Sequence, residues 1–396
     1  MLLKGLRVVE MSTWIAAPGC AMIMAEWGAD VVKVESPDGG DAIRRFYPDT
    51  PESPGNPIFS MENRGKRGAA LDIYQPEGRA ALLALLKRAD VFITNLRPRA
   101  LERTQLDYAS LKDELPRLIY AVVTGFGLVG DDADRPAFDL TGFWTRSGIA
   151  ASTIPPDQEP FTCRPGFGDH VTALATLSGV LAALHERQTT GRGRMVEASL
   201  LRTGVYALGW DASIHLRYGE ATTAQPRADR PSAISGYFRT ADDRYVCVAP
   251  RGPGCFPAVM RGLGLAHILD DPEYGPPPWG DLEKTRRVRA MVDVAFARLT
   301  LDEAGAMLTA GDLIWAPMAT LEEVAIDPQA RAAGCFVVTP DHYGGAFEAP
   351  ATPIRFPALD IEPRAPAPKL GQHTREVLAE AGLEAAAIDA LAPGDG

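Results

Sequence analysis

The chain has 396 residues, 46% hydrophobic and 23% charged, a soluble globular composition long enough for two cores. Its formal net charge of −11 argues against nucleic acid, which needs a basic face. No apolar run reaches the roughly 18 residues of a membrane span, so no membrane partner is expected. The five cysteines lack C-x-x-C spacing and the six histidines form no ligand cluster. Neither disulfides nor a metal site is indicated, and a cytoplasmic location fits.

In chain order, Leu6 to Met11 reads as the first strand of a domain, not as a signal peptide. Pro18 to Trp27 follows as a small-residue helix, Gly28-Ala29-Asp30 as a turn, and Val31 to Glu35 as a second strand. Ala69 to Ile73 reads as a strand, Pro76 to Arg88 as a helix with proline in its first turn, and Val91 to Thr94 and Leu118 to Thr124 as further buried strands. Strands alternating with long helices predict βαβ units and an open, largely parallel α/β sheet. Gly219 to Pro231 has linker composition. Beyond it, Gly236 to Ala249 predicts a hairpin with an Asp-Asp turn, and a stretch rich in proline and glycine runs from Pro250 to Pro278. Helices around Leu282 to Leu299 and Leu301 to Thr309 complete a smaller α+β domain. The proline-rich segment Tyr343 to Pro368 predicts an extended surface run, ending in a short helix near Thr374 to Ala381.

The chain has no G-x-G-x-x-G after the first strand, no P-loop and no G-x-S-x-G elbow, which disfavours dinucleotide, NTPase and serine-hydrolase chemistry. The most pointed segment is Gly166-Phe-Gly-Asp-His170 before a small-residue helix. Asp169 is expected at the helix N-cap, and taken alone the segment is accounted for by capping. A carboxylate there is also held ionised by backbone N–H groups and the dipole, as a nucleophile requires. Two basic clusters, Asn63-Arg-Gly-Lys-Arg67 and Asn95-Leu-Arg-Pro-Arg99 with Arg103, lie at strand ends and suit phosphate groups or a solvated loop.

These segments together resemble the family III CoA-transferases, which include formyl-CoA transferase, carnitine CoA-transferase and α-methylacyl-CoA racemase. The similarity runs from Leu3-Lys-Gly-Leu-Arg-Val-Val-Glu10 and Ala25-Glu-Trp-Gly-Ala-Asp-Val-Val-Lys-Val-Glu35 through Asn63-Arg-Gly-Lys-Arg67, Leu71-Asp72, Asn95-Leu-Arg-Pro98 and Gly168-Asp169. It continues with Gly191-Arg-Gly-Arg-Met-Val-Glu197 and closes at Leu370-Gly-Gln-His-Thr374. The resemblance implies a catalytic Asp169 and coenzyme A held by Lys66, Arg67, Leu71, Asn95, Leu96, Arg97 and Arg103. It further implies a homodimer of interlocked rings. The large Rossmann-like domain would come from residues 1–218 and a return segment 328–396, with the smaller α+β domain at 219–327.

Two departures shape the expected chemistry. Racemases of this family carry a histidine where this chain reads Ala137-Phe138-Asp139, and Phe138 cannot move a proton. Formyl-CoA transferase has an amide at the position of Ile15 and a glycine-rich loop where Gly219 to Pro231 has no glycine run. A larger or more apolar acyl group than formate or oxalate is expected, lined by Trp14, Ile15, Ala16, Phe138, Phe143 and Trp144. The reading is an acyl-CoA:carboxylate CoA-transferase acting on an acyl-CoA and a small or medium carboxylic acid, through an Asp169 anhydride and an Asp169–CoA thioester. The alternatives are a racemase-like enolising enzyme that draws a second base from His170, and a non-catalytic CoA-binding homologue.

Overall fold

A computed structural model describes all residues except 48, 221–223, 276, 278, 279, 360, 364 and 393–396. Parts of the linker, of the proline- and glycine-rich stretch and of the tail therefore lie outside the described residues. The chain divides into one unit of residues 1–153, 160–222 and 331–396, and another of residues 154–159 and 223–330.

The larger unit carries a six-stranded sheet in the order β3-β2-β1-β4-β5-β6, every pairing parallel. The strands are β1 (Arg7–Met11), β2 (Asp30–Glu35), β3 (Arg67–Ala70), β4 (Val91–Thr94), β5 (Ile119–Thr124) and β6 (Met195–Ser199). Side chains alternate faces along a strand, so Val8 and Val9 feed different cores. One face is covered by α1 (Ala16–Glu26) and α7 (Phe167–Thr190). Every residue of α1 is buried, which its run of Ala, Gly and Cys permits. The opposite face is covered by α3 (Pro76–Leu86), α4 (Pro98–Thr104) and the C-terminal helices Thr374–Glu380 and Ala385–Leu391. Helix α7 is long and apolar enough to cross a membrane by length and composition, yet Thr172, Thr176, Leu177, Val180 and Ala183 are buried in this core.

The remaining helices of this unit are α2 (Pro57–Asn63), α5 (Tyr108–Leu111), α6 (Ile149–Thr153), α8 (Leu200–Ala207) and α9 (Gly209–Tyr218). Helices α8 and α9 add to the predicted elements. The tail is also corrected: Phe336–Pro340 and Ala346–Pro350 pair as an antiparallel hairpin where an extended run was expected from Tyr343. Strand β3 begins at Arg67 and ends at Ala70, earlier than predicted, and the chain then turns near Asp72, whose carbonyl packs on Gly78.

The smaller unit holds a three-stranded antiparallel sheet. The predicted hairpin is present, with Asp243 in the left-handed region at φ 61° and the Asp242 carboxylate accepting from Thr240 Oγ1 at 2.6 Å. Phe238 stacks on Phe296, with ring centroids 4.7 Å apart, in a core closed by Leu282–Phe296 and Leu301–Ala310.

Candidate active site

In this strand order the chain leaves the sheet in opposite directions after β1 and β4, and the crevice at their carboxyl ends is the natural ligand site. Asn95, just past β4, clamps Thr13, just past β1. Its Oδ1 accepts from the Thr13 N–H at 3.0 Å and its Nδ2 donates to the Thr13 carbonyl at 2.7 Å. The next residue, Trp14, has φ 67°, a costly conformation for a bulky side chain. Its N–H donates to Asp41 Oδ1 at 3.1 Å, which fixes the turn from the other side. The indole packs edge-on against Phe138 at 4.9 Å and Phe46 at 5.8 Å.

A cleft of about 500 Å³ opens here, lined by Thr13, Trp14, Ala16, Asn95, Leu96, Arg97, Arg135, Phe138 and Asp169 among others. A smaller, more apolar cleft of about 210 Å³ adjoins it at Thr13 and Leu96 and is walled by Leu71, Ile73 and Tyr74. The Arg103 guanidinium lies 4.8 Å from the centre of the Tyr74 ring.

Asp169 is not the N-cap of α7. Gly166 is, at φ 87°, and Asp169 occupies the third helical position with no side-chain hydrogen bond among the described residues. Gly168 has no room for a side chain, because a Cβ would lie 2.4 Å from Phe143 Cγ. Its N–H donates to Asp139 Oδ2 at 3.2 Å, so the buried Asp139 does the capping. Asp139 leads into a wide turn, Leu140–Thr145, wound with the i→i+5 spacing often found at functional sites. The expected held-down carboxylate is reversed. Burial, reinforced by Asp139 and Glu62, pushes the Asp169 carboxyl up to about 7, against the opposing pull of His170.

Several other expected contacts are displaced. Lys66 is fully buried, its Nζ 2.6 Å from Glu10 Oε2 and 2.9 Å from both the Pro18 carbonyl and Asn63 Oδ1. Burial pulls its ammonium down to about 8. Arg67 opens β3 at the amino end of the sheet, tied to Asp30, Glu376 and Glu380. Neither side chain reaches the cleft. Ile15 packs with Ile43, Phe59 and Ala367, and Trp144 turns away toward Phe161 at 6.1 Å, so neither lines it. Phe143 lies buried beneath Gly168. The structure thus brings together Asp169, Trp14, Ala16, Asn95, Leu96, Arg97 and Phe138, with Leu71 and Arg103 around the adjoining cleft. Asp139, Glu62, Arg135 and Tyr74 were not singled out from sequence. Only Asp139 carried a signal, as the neighbour of Phe138 in the same motif.

Among the described residues no group of three or more His, Cys, Asp or Glu side chains could hold a metal ion.

The family model described as CoA-transferase family III matches residues 3–374. The (R)-2-hydroxy-4-methylpentanoate CoA-transferase of Clostridioides difficile is 34% identical over 392 residues, covering 97% of this chain and 96% of its own length. The α-methylacyl-CoA racemase of Homo sapiens is 29% identical over 386 residues, covering 97% and 94%. A crystal structure of a CAIB/BAIF family protein from Brucella suis superposes with a TM-score of 0.83 at 30% identity, covering 96% of this chain and 99% of that one.

Proposed function

The chain belongs to CoA-transferase family III and is an enzyme of that family; from this premise we propose that it moves coenzyme A between an acyl-CoA and a free carboxylic acid with Asp169 as covalent nucleophile. The observation that carries the reading is a carboxylate with no side-chain hydrogen bond among the described residues, lining the switch-point cleft together with Trp14 and Phe138.

In this reading the adenine of CoA lies in the small cleft between Leu71, Tyr74 and Leu96. The phosphates meet Arg97 and Arg103, and the thioester runs past Thr13 to Asp169. The ionised Asp169 attacks the thioester carbonyl, the C–S bond breaks, and a mixed anhydride and CoA thiolate form. The thiolate attacks the aspartyl carbonyl, giving an Asp169–CoA thioester and the free donor acid. The acceptor carboxylate reverses both steps. No step consumes a proton, so the nucleophile need only be ionised, and water is kept from each activated carbonyl. Trp14 and Phe138 favour an apolar acyl group beside Asp169. This agrees with the branched 2-hydroxy acid in the name of the C. difficile relative.

A racemase reading is favoured by the human relative and by His170, which stands next to Asp169. One experiment separates the two. Enzyme incubated with a 2-methylacyl-CoA in deuterium oxide is quenched with hydroxylamine and digested. A hydroxamate on Asp169 with the α-hydrogen retained is the expected result. Rapid α-deuteration without any adduct would replace transfer by enolisation.

Arg97 faces the cleft at the start of α4. A charge-assisted contact is worth roughly 1.5–3 kcal/mol, so Arg97→Ala should weaken free CoA by about one to two powers of ten in titration calorimetry. Arg67→Ala, whose side chain is held by carboxylates at the amino end of the sheet, should leave that affinity nearly intact.

Helix α9 has no buried residue and leaves Trp210, Leu216 and Tyr218 at least 70% exposed. Apolar exposure on that scale marks an interface. A second copy of the chain covering it would give the homodimer implied by the family resemblance. Light scattering should then return twice the chain mass of 42.5 kDa, and a monomer would remove this assignment.

A further inference from the structure

His170 follows Asp169 in the first turn of α7, and its Nε2 lies 2.9 Å from Glu62 Oε1. Glu62 comes from the last turn of α2 and is buried, whereas the imidazole is 46% exposed. The second carboxylate oxygen, Glu62 Oε2, is buried with no hydrogen-bond partner among the described residues. Leaving such an oxygen unsatisfied is costly, and apolar residues of similar shape would avoid the cost. Helix α1 also yields to it: a Cβ on Gly19 would stand 2.7 Å from Glu62 Oε2 and 3.3 Å from Ala173 Cβ. A glycine on one helix therefore makes room for a buried carboxylate on another, and among the described residues the side chain hydrogen-bonded to that carboxylate is His170.

The charges around Asp169 give this arrangement a use. Asp139, just before the Leu140–Thr145 turn, Glu62 from α2 and His170 from α7 itself all act on it. The same groups act on the imidazole. Lys66 lies near Glu62 but is committed to Glu10 and Asn63. With a neutral His170, Asp139, Asp169 and Glu62 form a carboxylate cluster that His170 leaves uncompensated. With an imidazolium, one of those charges is offset beside the group that must be ionised.

We infer that His170 and Glu62 form a positioning pair that holds a fixed cation against Asp169 and so keeps the nucleophile ionised. The inference rests on the nucleophilic reading of Asp169. It differs from the use of His170 as a second base, because CoA transfer moves no proton and requires only the charge. The hydrogen bond to Glu62 indeed raises the imidazole above its usual range.

The test is the pH dependence of adduct formation on Asp169 in the wild type, His170→Gln, Glu62→Gln and His170→Lys. His170→Gln should move the acid limb about one pH unit higher, an extra loss of about tenfold below neutral relative to the alkaline side. Glu62→Gln removes a negative charge beside Asp169 as well as the imidazole's partner, so it should move the limb less than His170→Gln does, and His170→Lys should return it toward the wild-type position. An acid limb in the same place for folded His170→Gln, or an equal loss at every pH, would overturn the inference. Titrating Asp169 by carbodiimide labelling of its peptide in the same proteins reads the limb without turnover. A wild type that labels but never forms an adduct would overturn the nucleophilic reading, and the displacement of the labelling curve would still decide the role of His170.

Discussion

Asp169→Asn should abolish CoA transfer and at the same time stabilise the protein above neutral pH. Loss of a covalent nucleophile costs about 10⁴-fold or more in rate. The stability gain follows from the environment that makes Asp169 useful. Burial and the neighbouring carboxylates raise its carboxyl from 3.8 to about 7, so the folded state binds this proton more tightly than the unfolded chain. A group raised in this way supports folding fully below its unfolded value, and the support is lost as pH climbs through the folded value. The wild type should therefore lose stability between about pH 4 and pH 7 at this site, and the asparagine variant should not. A tenfold difference in proton affinity between folded and unfolded chains is worth about 1.4 kcal/mol, so the rise from 3.8 to about 7 would give about 4 kcal/mol, which the opening of the carboxylate onto the cleft reduces to about 2 kcal/mol. Thermal unfolding midpoints across pH test this directly. The variant should melt higher above neutral and converge with the wild type in acid. A variant no more stable at any pH would mean that the site does not disfavour the charge. Retained transfer would remove Asp169 as nucleophile.

The same balance explains why much of the architecture was legible from sequence and part of the site was not. Strands β1, β2, β4 and β5 are buried on both faces and so appear as short runs rich in β-branched residues, interrupted by the buried Glu10 and Lys33. Cluster order along the chain also carries information. Asn95 to Arg103 follows β4 and therefore reaches the carboxyl end of the sheet, where the cleft lies. Asn63 to Arg67 precedes β3 and lies toward the amino end, where Arg67 meets Asp30 and Arg64 and Lys66 turn inward. Charge composition cannot distinguish a lysine aimed at phosphate from one that neutralises a buried glutamate. The distinction depends on Glu10, a contact made 56 residues away. The aromatic pocket shows the same limit at short range. Trp14 reaches the cleft and Ile15 does not, because the Trp14 backbone takes a left-handed turn that Asp41 and Asn95 hold in place. The Glu62–His170 pair spans 108 residues, and no local pattern announces it.

Lys66→Met should be among the most destabilising substitutions available, while barely touching CoA affinity in whatever fraction folds. Lys33, Lys66, Glu10 and Asp41 form a buried cluster with two charges of each sign. Burial opposes ionisation of Glu10, yet Lys33 and Lys66 hold its carboxyl down at about 2. Methionine fills much of the same volume but leaves Glu10 Oε2, the Pro18 carbonyl and Asn63 Oδ1 without their donor. It also leaves the cluster one negative charge in excess. Breaking a buried pair from one side costs about 3–5 kcal/mol, because the remaining charge is stranded out of water. A Glu10→Gln, Lys66→Met double variant restores the charge balance and should be more stable than Lys66→Met alone, so the two effects are strongly non-additive. Denaturant midpoints for the wild type, both single variants and the double variant measure that coupling. If Lys66→Met instead unfolds like the wild type and binds CoA about tenfold or more weakly, Lys66 contacts the ligand after all and the buried-cluster assignment fails.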